Sequence, residues 1–193
     1  HSQKNTGMTT MEAAARIVAT AKRALGEGKA VQCAVQSAFG CGFEGLIDEK
    51  KVMNIVKEYL NAGVTKISLA DTAGHANPAQ VERMFTEILT MAPDAELACH
   101  FHNSYGMGMA NCLQAIKSGV KNIETAFGGL GGCPFTKSPS GNVCTEDFVH
   151  CIQAMGMRKD IDLTKSIQIA RALAAFFDRD LPGFVYKTEP IKH

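Results

Sequence analysis

The sequence lacks an excess of charge of either sign: across 193 residues, 20 Lys and Arg face 19 Asp and Glu, a net charge of +1. Without a field of one sign or a long block of like charges, nothing draws the chain to nucleic acid or to an anionic membrane surface. No apolar run approaches the ~20 residues that a membrane span needs, and no signal-peptide pattern is visible. There is no CxxC pair either. The seven cysteines are an odd number and scattered. Cys33, Cys99, Cys112 and Cys151 lie in apolar strand or helix contexts, which argues against a disulfide framework and for reduced thiols in a reducing compartment. The cytoplasm is expected, with the mitochondrial matrix as the alternative. The chain begins at His1 instead of Met and is expected to be processed or a piece of something longer.

What is present is ordinary for a globular domain with a real core: 46% apolar and 20% charged residues. Residues 1–8 read as a loop. Thr9 or Thr10 caps a helix that runs to about Leu25, with Glu12 in its first turn. A strand is expected over 30–37, and then a loop carrying Gly40, Gly42 and Gly45. Asp48 caps a helix that Gly63 closes. Val64–Ala70 reads as the second strand, and Pro78 opens the next helix. Glu96–His102 is the third strand, Met107–Ser118 a helix, and Val120–Phe127 the fourth strand. A glycine-rich loop spans 128–142, and two helices follow at about 145–156 and 163–178. Strand, loop and helix thus recur four times, which predicts βαβ units and a parallel sheet. Four units make half of a (β/α)8 barrel or a smaller doubly wound sheet.

In such folds the functional site lies at the carboxyl ends of the strands, and the unusual polar clusters of this chain fall there. His100 and His102 are two residues apart at a strand end, so they project from one face, side by side. A lone histidine is more often a satisfied core residue. The His-x-His spacing favours a divalent-cation or catalytic site. Asp71 is a metal ligand, a partner that orients a histidine, or a cap near a helix start. Asn142 is a turn residue or an amide-oxygen ligand beside the histidines. Gly128, Gly129, Gly131 and Gly132 surround Cys133 without the G-x-G-x-x-G spacing of a dinucleotide fold. They suit a lid carrying one thiol. His75 and His150 read as surface or packing histidines, and Glu44 and Asp48 as loop and cap residues.

These residues also carry a resemblance. His100-Phe101-His102-Asn103-Ser104-Tyr105-Gly106, with Ala110-Asn111 a turn later, resembles the metal-binding motif of the family of 3-hydroxy-3-methylglutaryl-CoA lyase, isopropylmalate and homocitrate synthases and 4-hydroxy-2-oxovalerate aldolase. Gly129-Leu130-Gly131-Gly132-Cys133-Pro134, Ser140-Gly141-Asn142 and Thr145-Glu146-Asp147 resemble the lyase branch, as do Ser68-Leu69-Ala70-Asp71-Thr72 and Gly40-Cys41-Gly42-Phe43-Glu44-Gly45. The match runs from about residue 2 to 165.

The resemblance implies a (β/α)8 TIM barrel of which residues 1–193 form one catalytic domain, the last four βα units, with the first four strands absent. It implies a divalent cation, Mg²⁺ or Mn²⁺, with His100, His102 and Asn142 as ligands. It makes Cys133 the catalytic thiol, and His100 and Asp71 the candidate bases. Ser68, Thr72, Gln32, Gly131 and Gly132 are implied to bind substrate. The family's Arg-Asp pair on the first strand and a Glu on the second fall outside this chain. Gln32 and Ala34 stand where lyases of this type carry a basic residue and an aromatic, and a gap-free extension places Asp178 where the family has a substrate-contacting Asn.

The implied reaction is retro-Claisen cleavage of a 3-hydroxy-3-methylglutaryl-CoA-like thioester to acetyl-CoA and acetoacetate, in leucine degradation. An acyl-CoA is the expected partner, and a homo-oligomer, dimer or tetramer, the expected state of the full-length protein. The alternatives are a 2-alkylmalate-type synthase, a 4-hydroxy-2-keto acid aldolase, and an inactive half-barrel.

Overall fold

In the computed structural model, residues 1–132 and 141–188 are described. Their elements follow the expected alternation. α1 (Ser2–Thr6) and α2 (Thr10–Gly26) precede β1 (Gln32–Val35). Then come α3 (Glu49–Asn61), β2 (Lys66–Asp71), α4 (Pro78–Met91), β3 (Glu96–Phe101), α5 (Gly108–Lys117), β4 (Asn122–Glu124), α6 (Thr145–Ala154) and α7 (Leu163–Phe176). Local chemistry sets the boundaries. Thr9 and Glu12 form a reciprocal capping box at α2, and Asp48, Asn77 and Asp162 accept backbone N–H groups at α3, α4 and α7.

Two elements depart from expectation. α1 replaces a loop: Thr6 Oγ1 donates to Ser2 O and Ser2 Oγ to Met8 O, closing one short turn that the left-handed Gly7 ends. β4 is shorter than expected, because beyond Glu124 the chain turns to pair with the segment after the glycine-rich loop: Ala126 N donates to Val143 O.

All neighbouring strands are parallel, and the order is β1-β2-β3-β4. A doubly wound sheet reverses its strand order at a switch point. A strictly sequential order is the winding of a barrel, so the barrel is the alternative that holds. Paired residues of a parallel ladder point the same way, and the register therefore sorts the two faces. Cys33, Val35, Ile67, Leu69, Leu97, Cys99 and Phe101 lie on one face, buried with residues of α3, α4 and α5 in the main core. Gln32, Ala34, Lys66, Ser68, Ala70, Glu96, Ala98, His100, Asn122 and Glu124 lie on the other, which is the interior of a barrel. At its lower end Lys66 Nζ meets Glu96 Oε2 at 2.8 Å, and Asn122 Nδ2 donates to Glu96 Oε1 at 3.0 Å.

One contact reports the strand stagger directly. From Glu124 the register runs through His100 and Ala70 toward Gln36, yet the partner that Glu124 finds on β1 is Gln32, whose Nε2 donates to Oε1 at 3.2 Å. Four residues of strand are roughly 13 Å. Only a curved sheet with tilted strands brings these two side chains level, which is the geometry of barrel closure.

Asp71 ends β2 on the helix-facing side, in register with Phe101. Its Oδ1 accepts His75 N at 2.8 Å and its Oδ2 accepts Ala76 N at 3.0 Å, so the carboxylate folds the loop that enters α4. Burial pushes its pKa up to about 6 against the opposing pull of those N–H groups. An acid raised on folding holds its proton in the folded state after the unfolded chain has lost it. Stability therefore falls as pH rises from about 4 to about 6, by up to about 3 kcal/mol. We expect Asp71→Asn to flatten that slope in urea-unfolding midpoints measured between pH 4 and 7; an unchanged slope would show that Asp71 does not set it.

Candidate metal and active site

The site is assembled at the carboxyl end of β3. Alternation along the strand sends Cys99 and Phe101 into the core and turns His100 and His102 the other way, with ring centroids 5.3 Å apart. The third residue is brought by backbone pairing. Residues 141–144 lie against both β3 and β4: Asn103 N donates to Gly141 O, Val143 N to Phe101 O, Ala126 N to Val143 O and Thr145 N to Ala126 O. His102 and Asn142 thereby face each other across an antiparallel bridge. Asn142 Nδ2 donates to Leu130 O at 2.7 Å, which fixes the orientation of the amide. Gly131 makes that approach possible: a Cβ there would sit 2.6 Å from Asn142 Nδ2.

Two buried polar atoms are left without a partner at this point, His102 Nδ1 and Asn142 Oδ1. Orphaned buried acceptors are costly and call for an occupant. Both histidines are biased toward the neutral, ligating form. Burial and the neighbouring His100 lower the His102 pKa to about 4. Burial also lowers His100, opposed by Glu124 and by a loose contact with Asn142. Neutral imidazoles and an amide oxygen are donors suited to a divalent cation. His100 makes one further contact: its Nδ1 lies 3.6 Å from Glu124 Oε2.

A second group with ligating atoms within 4.8 Å of one another is Cys144, Glu146 and Asp147. Its acids are already engaged. Both oxygens of the fully buried Glu146 accept Gly128 N, and Asp147 accepts Phe184 N and Val185 N. Burial, followed by the contact with Glu146, raises the Cys144 thiol, so it keeps its proton. These residues fasten Gly128 of the glycine-rich loop and Phe184 and Val185 of the tail.

The other expected residues fall as follows. Ser68 is buried on the interior face in register with Ala98. Thr72 Oγ1 accepts Ser37 N at 2.9 Å and lies 3.3 Å from Gln36 Oε1, bracing the end of β1. Gln32 faces the interior with its amide donor committed to Glu124. Gly131 borders the site against Asn142, Gly132 follows it exposed, and Cys133 lies outside the described residues. Asp71 is not brought to the histidines, since its carboxylate is turned to the helix side.

Sequence reasoning missed Glu124 and Ser37. The polar-apolar alternation Asn122-Ile123-Glu124 at a strand end was a usable signal for Glu124. Ser37, with φ of 53° and an unpartnered buried hydroxyl at the end of β1, has none.

The HMGL-like family model matches residues 1–173. The (R)-citramalyl-CoA lyase of Chloroflexus aurantiacus is 36% identical over 165 residues, 86% of this chain and 52% of that protein. The human mitochondrial hydroxymethylglutaryl-CoA lyase is 33% identical over 177 residues, 92% of this chain and 54% of that protein. Among solved structures, an HMG-CoA lyase from Acinetobacter baumannii in complex with coenzyme A and 3-methylmalate superposes with a TM-score of 0.89 at 38% identity, over 98% of this chain and 64% of that one. The chain thus spans about half the length of the curated relatives it matches, and it covers part of a TIM barrel. On these matches and on the sequential parallel sheet, the chain belongs to the HMGL-like family.

Proposed function

We propose that residues 1–193 are the C-terminal half of a single catalytic barrel domain that cleaves a carbon–carbon bond in a 3-hydroxyacyl-CoA of the 3-hydroxy-3-methylglutaryl-CoA type, yielding acetyl-CoA and a keto acid such as acetoacetate. The observation that carries this is the convergence of His100, His102 and Asn142, two of them with orphaned donor atoms, at the mouth of the sheet. The relatives support the class of reaction, since their names share an acyl-CoA and a lyase activity. They differ in the acyl group. They include mitochondrial and cytoplasmic enzymes, so either compartment fits.

Two neutral imidazoles and an amide oxygen can hold a divalent cation, through His102 Nδ1, Asn142 Oδ1 and the His100 nitrogen turned from Glu124, and the resemblance to the lyase branch selects Mg²⁺ or Mn²⁺. A cation bound there supplies Lewis-acid polarisation of the substrate's oxygens. The protein's own groups do the rest. The tertiary hydroxyl loses its proton, its C–O bond becomes a carbonyl, and the adjacent C–C bond breaks with its electron pair passing to the thioester enolate. A proton delivered to the enolate carbon completes acetyl-CoA. Asp71 is turned away, and a ligating His100 has no free lone pair, so the base is sought in the part of the barrel that this chain does not span. Cys133, next to Gly132 on the glycine-rich loop, is the assigned proton donor. Ser68 and the loop glycines line the approach to the acyl group. The full-length protein is a homo-oligomer in this reading.

Titration with Mn²⁺, followed by calorimetry and by the loss of free-ion electron paramagnetic resonance signal, is expected to give one site per chain. His102→Ala and Asn142→Ala should each weaken it by about tenfold or more. Absence of binding by the wild-type chain, or unchanged affinity in both variants, would remove the metal site. In the full-length enzyme, Cys133→Ala is expected to lower thioester cleavage about 10²- to 10⁴-fold with Mn²⁺ binding intact. Cleavage near the wild-type rate would rule out the thiol as donor.

A further inference from the structure

Glu124 contacts two side chains with its two oxygens, and the pair of contacts has a direction. Oε1 accepts the Gln32 amide at 3.2 Å, and Oε2 lies 3.6 Å from His100 Nδ1. Three strands contribute: Gln32 is on β1, His100 on β3 and Glu124 on β4, in register with His100. A half-exposed glutamate would ordinarily sample many rotamers. Here the Gln32 amide holds one oxygen and so presents the other to the imidazole.

We propose that Glu124 is the positioning residue of His100, and that Gln32 sets the carboxylate that does the positioning. At 3.6 Å Glu124 Oε2 lies just beyond hydrogen-bond reach, but a carboxylate charge beside Nδ1 favours the tautomer that carries the proton there. That tautomer leaves the Nε2 lone pair free for a cation shared with His102 and Asn142, whose ring and bridge partner lie beside it. A carboxylate behind a ligating histidine fixes ring orientation and tautomer and strengthens the histidine as a donor. Without Glu124, the ring retains no charged partner among the ion pairs of the described residues, and only its neutral contact with Asn142 remains to bias the tautomer. The proposal deepens the metal-site reading above and rests on it for the role of Nε2, while the tautomer of His100 does not depend on any metal.

Two measurements on the chain separate these dependencies. The first is the ¹⁵N spectrum of the His100 ring without metal at neutral pH, in wild type, Glu124→Gln, Glu124→Ala and Gln32→Ala. Wild type is expected to be predominantly Nδ1–H. Glu124→Ala is expected to shift toward Nε2–H, with Gln32→Ala intermediate. Glu124→Gln, whose amide oxygen still accepts, should restore most of the wild-type pattern. The second is Mn²⁺ affinity in the same variants, expected to fall about tenfold or more in Glu124→Ala and less in Glu124→Gln. Identical ring spectra in wild type and Glu124→Ala would overturn the positioning role, whatever the affinities. A shifted tautomer with unchanged Mn²⁺ affinity would leave the positioning role standing and count against His100 as a ligand. Thermal midpoints close to wild type are expected for Glu124→Ala, because its contacts are on the open interior face and not in the core.

Discussion

The burial of Leu97, Cys99 and Phe101 against the helices is the constraint from which the site follows. A strand has a period of two, so committing these residues to the core commits Glu96, Ala98 and His100 to the interior and sends His102 after them. A slip of one residue would expose Leu97 and Phe101 and push two imidazoles into the core. Losing the burial of large apolar side chains costs about 1.5–3 kcal/mol each, before counting the histidines' desolvation. No interaction among the polar residues approaches that sum. The histidines are aimed by their neighbours' hydrophobicity, which outweighs the cost of leaving His102 Nδ1 without a partner.

The same logic decides what was legible in the sequence. Strand and helix alternation, the caps at Thr9, Asp48 and Asn77, and the placement of His100 and His102 at a strand end follow from periodicity and local hydrogen bonding, which the chain carries residue by residue. Asp71 was ambiguous because a carboxylate at the end of a strand suits a ligand, an orienting partner and a cap alike. Only the ladder pairing of Asp71 with Phe101 shows that it faces the helices. Gln32 and Glu124 are 92 positions apart, and their contact exists only through the tilt of a curved sheet. No pattern within either segment encodes it. The backbone at Ser37 is likewise a tertiary outcome, held by Thr72 from the neighbouring strand.

The interior face has a different character from the helix face. Small residues, Ala34, Ser68, Ala70 and Ala98, occupy its middle, with Lys66, Glu96 and Asn122 below, His100 and Glu124 above, and Gln32 brought level with Glu124 by the strand tilt. A parallel sheet covered on both faces by helices reads as continuous apolar strands. This one alternates, and its polar side chains pair with one another across strands instead of with a second helix layer. β1 and β4 each have one strand neighbour in the sheet among the described residues. A face lined with small and hydrogen-bonded polar groups, between two open edges, matches the lining of a barrel that further strands complete. This agrees with relatives about twice as long.

Close approach is a second reason for glycine in the glycine-rich loop. Four glycines around one cysteine suit a lid. In the structure two of the loop's glycines have a steric reason tied to Asn142. A side chain at Gly131 would strike the Asn142 amide, and one at Gly141 would run into the carbonyl of Gly129. The absent side chains let residues 129–131 and 141–142 pack backbone to backbone. That packing turns the Asn142 amide nitrogen onto Leu130 O and leaves its oxygen free beside His102. The loop's glycines therefore act on the site first through shape. They let a hard oxygen donor be delivered, already oriented, to two neutral imidazoles, so that a cation would meet ligands that need little rearrangement to bind it.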